Sequence, residues 1–115
     1  MTETRAKYAN VKQQLDGHTF DSKKEMNQYV HLKALQQAKI ISGLELQKRY
    51  ELIPKQKLSN GKTERAAHYT ADFFWVEGGK EYVVDVKSPI TRKEPSYVLR
   101  RKLMLYVHGI EIKEI

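Results

Sequence analysis

The chain has 115 residues, enough for one modest hydrophobic core and too few for two. Hydrophobic residues make up 40% and charged residues 30%, which excludes a disordered chain, and the lack of cysteine excludes disulfides, thiolate zinc sites and cysteine catalysis. With 21 Lys plus Arg against 14 Asp plus Glu, the formal charge of +7 favours a polyanionic partner.

No apolar run approaches the roughly 18 residues that a membrane span needs. Met1-Thr2-Glu3-Thr4-Arg5 lacks the apolar stretch of a secretory signal. A cytoplasmic chain without a membrane partner is therefore expected. His18, His31, His68 and His108 show no helical two-ligand spacing and are read as ordinary side chains.

In chain order, residues 1–10 carry Arg5 and Lys7 with little apolar patterning and are expected to form a flexible basic arm. Val11 to Leu15 and His18 to Phe20 flank Asp16-Gly17, the pattern of a small hairpin. Ser22-Lys23-Lys24-Glu25 fits a capping box and opens a helix to about Lys39, with Met26, Tyr29, Val30, Leu35 and Ala38 as its apolar stripe. Leu44 to Ile53 alternates, with Leu44, Leu46, Tyr50 and Leu52 on one side, and Pro54 stops it. Lys55 to Lys62 reads as a basic, exposed turn.

Tyr69 to Val76 and Glu81 to Lys87 are rich in β-branched and aromatic residues, and they flank Gly78-Gly79. This is the signature of a hairpin whose turn needs positive φ. If the turn centres on the two glycines, Glu77 pairs with Lys80, and counting back puts Asp72 opposite Asp85. The same arithmetic sets Lys87 diagonal to Asp72 and puts Ala71, Phe73 and Trp75 on the other face. Opposed like charges, with Cβ atoms about 4.5 to 5.5 Å apart, destabilise a sheet. Two readings account for them: a salt-bridged cluster closed by Lys87, or a divalent metal held by hard carboxylate oxygens.

The loop from Ser88 to Ser96 contains Arg92 and Lys93, and Pro95 is placed to start a second helix to about Val107. Val98, Leu99, Leu103 and Tyr106 are expected inward, with Arg100, Arg101 and Lys102 on its other faces. Ile110 to Ile115 reads as a last strand, returning parallel to the third. The fold class is α/β of the α+β kind: one domain over 1–115 in the order α-β-β-β-α-β, a mixed central sheet flanked by helices.

That order, with an acid on the second strand, acid-x-Lys on the third and an acid on the first helix, resembles the PD-(D/E)XK, or restriction-endonuclease-like, nuclease superfamily. The matching residues are Asp72, Asp85-Val86-Lys87 and Glu25. The chain also resembles a small phage-encoded group within it, from Phe20-Asp21-Ser22-Lys23-Lys24-Glu25 through Tyr69-x-Ala71-Asp72-Phe73 to the closing Ile110-x-Ile112-x-x-Ile115. Ala71 stands where the motif has proline, which supplies no chemistry; Asp85 replaces the more frequent Glu and is one methylene shorter.

The resemblance implies Mg²⁺-dependent hydrolysis of phosphodiester bonds, with Mn²⁺ able to substitute, leaving a 5′-phosphate and a 3′-hydroxyl. Asp72, Asp85, the Val86 carbonyl and Glu25 would serve the metal, and Lys87 would orient water or stabilise charge on the phosphate. Glu25 also has a sufficient local explanation as a capping residue. Gln47 and Thr70 are candidate supporting groups. Arg92, Lys93, Arg100, Arg101 and Lys102 would track a DNA backbone; a solvated helix face is the plainer reading of the last three. The implied activity is a DNA endonuclease for branched or junction DNA, working in the host cytoplasm if the chain is phage-encoded. Junction cutting would require paired sites, hence a homodimer. The competing classes are a non-catalytic nucleic-acid-binding protein that keeps the fold and a phage structural protein.

Overall fold

A computed structural model describes residues 11–115. The expected basic arm over residues 1–10 lies outside the described residues. Backbone contacts divide the chain into two compact units, one through Ser42 and one from Gly43 to Ile115.

The first unit holds strands β1 (Gln13–Leu15) and β2 (His18–Phe20) and helix α1 (Lys23–Gln37). Asp16 and Gly17 both have positive φ, 54° and 78°, which is the two-residue hairpin turn expected from their sequence. Ser22 caps α1 by accepting the Glu25 amide at 3.1 Å. Tyr29 and Lys33 reach back to the same Asp16 oxygen, so the hairpin is tied to the second and third turns of α1.

Two expectations for α1 are corrected. The helix ends at Gln37, where Lys39 takes a left-handed φ of 63°, and does not run on to Lys39 itself. Its buried stripe is Glu25, Tyr29 and Leu32, at the i, i+4, i+7 spacing of one face, while Val30 and Ala38 are exposed. A carboxylate on the buried line hid the stripe from a search for apolar periodicity.

The second unit is built on a mixed four-stranded sheet in the order β3 (Ser42–Ile53), β6 (Ala67–Glu77), β7 (Lys80–Asp85), β8 (Lys113–Glu114). β6 and β7 form the central hairpin, paired Glu77 to Lys80 through Phe73 to Val84, with Gly78 and Gly79 at φ 59° and 77°. β8 runs parallel to β7. Gln47 of β3 contacts Asp72 of β6 while Arg49 contacts His68, so β3 ascends as β6 descends and the neighbours are antiparallel. The expected turn over 55–62 is itself a short ladder, β4 (Gln56–Lys57) with β5 (Thr63–Glu64).

Helix α2 (Pro95–His108) packs on the sheet, and its register differs from expectation by one residue. Tyr97 and Met104 are buried, Val98 and Leu103 are half-buried, and Leu99 and Tyr106 are 58% and 87% exposed. The inward line at 97, 101 and 104 includes the half-buried Arg101, whose guanidinium bonds to Glu114. Leu52, Tyr69, Ala71, Phe74, Val83, Tyr97, Met104 and Ile112 form the core of this unit.

Candidate functional site

Strict alternation along β6 would put Tyr69 and Ala71 on the face opposite Phe74, yet all three share one core cluster. The side-chain phase therefore shifts between Ala71 and Phe74, at Asp72 and Phe73. That corrects the sequence reading that grouped Ala71 with Phe73 and Trp75. Gln47 on the neighbouring strand has φ 55°, the left-handed backbone of a bulge position. Irregularities on both strands thus meet at Asp72, and Gln47 Nε2 donates to Asp72 Oδ1 at 3.3 Å.

The regular β6–β7 pairing reaches Phe73 and Val84. Beyond that pair the regular register stops, and Asp72 and the Asp85-Val86 stretch are joined through side-chain bonds. The Asp85 carbonyl accepts from the Ile115 amide at 2.9 Å, and the Lys87 amide donates to the Ile115 carbonyl at 3.0 Å. In extended chain the intervening Val86 must then present its amide to β6. That amide donates to Asp72 Oδ2 at 2.9 Å, and the Asp72 amide donates to Asp85 Oδ1 at 3.0 Å. Each carboxylate thus accepts a main-chain amide. Charge-assisted bonds of this kind are roughly twice as strong as neutral ones, and they offset the repulsion that opposed acids impose.

Asp85 is 1% exposed, and its second oxygen accepts from the Tyr69 hydroxyl at 2.5 Å. Burial, then the charge and hydrogen bond of Asp85, push that hydroxyl far above the usual tyrosine range, so it stays a donor at every working pH. Lys87 Nζ stands 3.6 Å from Asp85 Oδ2 and 4.6 Å from the centroid of the Tyr97 ring. The ring supports the ammonium through a cation–π contact. Tyr97 is fixed in turn by Glu114, which accepts its hydroxyl at 2.5 Å and Arg101 Nη1 at 3.1 Å. Burial raises the Tyr97 hydroxyl, and Glu114 raises it further. Burial also works to raise Glu114, but its bonds to Tyr97 and Arg101, with the charges of Arg101 and Arg92, hold its carboxyl below the ordinary value.

The expected site residues are therefore distributed as follows. Asp72, Asp85, Val86 and Lys87 are brought together, with Gln47 at their edge; Thr70 is exposed on β6. Glu25 belongs to the first unit, where it is buried in the first turn of α1. Of the expected backbone-tracking cations, Arg101 bonds to Glu114 and Arg92 pairs with it at 3.9 Å. Arg100 Nε donates to the His68 carbonyl at 2.9 Å. Lys93 and Lys102 are both exposed. Sequence reasoning missed Tyr69, Tyr97 and Glu114, since none lies in the acid-x-Lys pattern.

Two adjacent carboxylates supply hard oxygens, the donors that Mg²⁺ takes one or two at a time while keeping water and substrate phosphate as its other ligands. The donor chemistry of Asp72 and Asp85 fits such a hydrated ion. It does not make an all-protein cage: among the described residues no three His, Cys, Asp or Glu side chains gather as a metal site. A cavity of about 640 Å³ between Lys80–Val83 and His108–Lys113 lies at the other end of β7 and contains none of these residues. Among the described residues no helix is long and apolar enough to cross a membrane.

Compared with known protein families, residues 5–113 match the one described as "Protein of unknown function (DUF1064)". No curated protein and no solved structure matches the chain.

Proposed function

For a chain that belongs to the DUF1064 family, we propose a metal-dependent DNA endonuclease that hydrolyses phosphodiester bonds in branched or otherwise structured DNA. The observation that supports it is the pair Asp72 and Asp85, linked through main-chain amides where the regular pairing of the central hairpin ends, with Lys87 two residues on. A salt bridge alone would not require two buried or half-buried acids each to accept a main-chain amide. A metal site gains from it, because both carboxylates are fixed before any ligand arrives.

Asp72 and Asp85 would hold Mg²⁺ or Mn²⁺, with the Val86 carbonyl as a third donor. When bound, such an ion polarises a phosphate and lowers the pKa of its water. Tyr69 and the Asp72 amide keep the Asp85 carboxylate from rotating. Lys87, seated on the Tyr97 ring, is in reach of Asp85 and so of charge developing on a phosphate beside it. The net charge of +7 supplies attraction to a polyanion.

The test is cleavage of end-labelled duplex, single-stranded, flap and four-way-junction DNA with Mg²⁺, with Mn²⁺ and with EDTA. Metal-dependent cleavage that prefers a branched substrate is the expected result. Salt-sensitive binding without cleavage in either metal would replace this reading with a non-catalytic nucleic-acid-binding protein.

A further inference from the structure

The β4–β5 hairpin and the groove at its base are not used by the site described above. From Ile53 to Arg65 every residue is exposed, and the segment carries Lys55, Lys57, Lys62 and Arg65 against the single acid Glu64. Among the described residues none of these four cations is in an ion pair with an acid. Such a run is commonly a solvated loop, but this one has fixed geometry. Gln56 pairs with Glu64 and Lys57 with Thr63, and the turn is closed by Leu58 N to Lys62 O at 2.8 Å and Gly61 N to Leu58 O at 3.0 Å. The lysines are therefore presented on a two-stranded ribbon, a shape that a duplex groove admits.

At the base of the ribbon lies a groove of about 510 Å³ lined by three arginines, Arg49, Arg65 and Arg100, with His68 and the single acid Glu64. Arg49 Nη2 meets His68 Nδ1 at 3.1 Å, and Arg100 Nε is anchored on the His68 carbonyl. Three guanidinium groups so converge on one concave surface. The groove is continuous with the candidate site along both strands: Arg49 is two residues beyond Gln47, which touches Asp72, and β6 runs directly from Ala67 to Asp72. Five residues of strand span roughly 17 Å. Along a duplex that rises about 3.4 Å per base pair, this is close to half a helical turn.

Resting on the nuclease reading, we propose that the β4–β5 ribbon and the Arg49–Arg65–His68–Arg100 groove bind the phosphodiester backbone of duplex DNA about half a turn from the phosphate at Asp72 and Asp85. The ribbon and groove position the duplex arm of the substrate; Asp72, Asp85 and Lys87 act on the bond.

The test measures binding of a labelled 20-base-pair duplex in EDTA across 50 to 200 mM salt, so that no cleavage is involved. The full-length wild type is compared with a Lys55→Ala, Lys57→Ala, Lys62→Ala variant and its Lys→Arg counterpart. The alanine variant should bind at least tenfold more weakly at the low-salt end, with the slope of log affinity against log salt shallower by about 2 to 3, and the arginine variant should keep the wild-type slope. Wild-type affinity and slope in the alanine variant would overturn the proposal, as would an equal loss in the arginine variant. A wild type that fails to cleave in Mg²⁺ or Mn²⁺ while the alanine variant loses its salt slope supports the backbone contact and refutes the nuclease reading alone.

Discussion

The Asp72 amide donates to the Asp85 carboxylate at 3.0 Å, so the two acids are linked through the backbone of one and the side chain of the other. Repulsion between opposed acids is thus met by peptide dipoles as well as by Lys87. The linkage also makes the position of Asp85 depend on its remaining donor, the Tyr69 hydroxyl.

Tyr69→Phe removes that donor from a buried carboxylate and leaves the ring in the core. It should cost about 1.5 to 3 kcal/mol, read as a lower denaturant midpoint at unchanged slope. Under the nuclease reading, cleavage falls while duplex binding in EDTA keeps the wild-type affinity. Equal stability of the two proteins would show that the hydroxyl does not hold Asp85.

Glu114 provides the pH dependence. Its carboxyl is held below the ordinary value in the folded chain, so its contribution is complete above the unfolded carboxylate pKa of about 4.3 and is lost as pH falls through the lower folded value. Thermal melts from pH 6 down through the unfolded carboxylate value of about 4.3 should therefore fall more steeply in the wild type than in Glu114→Gln. Parallel curves would mean that the bonds to Tyr97 and Arg101 contribute nothing to stability.

Gly79→Ala tests the turn that sets the register of the acids. A Cβ at that position would meet nothing within 4 Å, so the cost is conformational alone. At φ 77° an L side chain should cost about 1 to 2 kcal/mol in unfolding free energy. A neutral substitution would show that the turn tolerates another geometry, and with it another pairing of Asp72.

The turn arithmetic was enough to read the pairing from Glu77 and Lys80 to Phe73 and Val84 from sequence, because two glycines admit few hairpin geometries; it brought Asp72 close to Asp85, where side-chain bonds take over. The capping of α1 by Ser22 and the parallel return of β8 were legible for similarly local reasons. What escaped were features that set one principle against another. Tyr97, Arg101 and Met104 form the inward line of α2 with a charged residue in its middle, so apolar periodicity pointed to Leu99 and Tyr106. Glu25 hid the buried stripe of α1 in the same way. The phase shift after Ala71 and the left-handed Gln47 leave no mark in residue type, since neither position carries the glycine that such backbone favours. The roles of Tyr69 and Glu114 depend on tertiary partners 16 and 17 residues away in sequence.

The most direct measurement is single-turnover cleavage of the preferred DNA substrate in Mg²⁺ by the wild type beside Asp85→Asn, with binding of the same DNA in EDTA followed in parallel. A nuclease centred on Asp72, Asp85 and Lys87 predicts cleavage by the wild type, none by the variant, and binding by both. Cleavage by Asp85→Asn at the wild-type rate, or no cleavage by the wild type in Mg²⁺ or Mn²⁺, would contradict it.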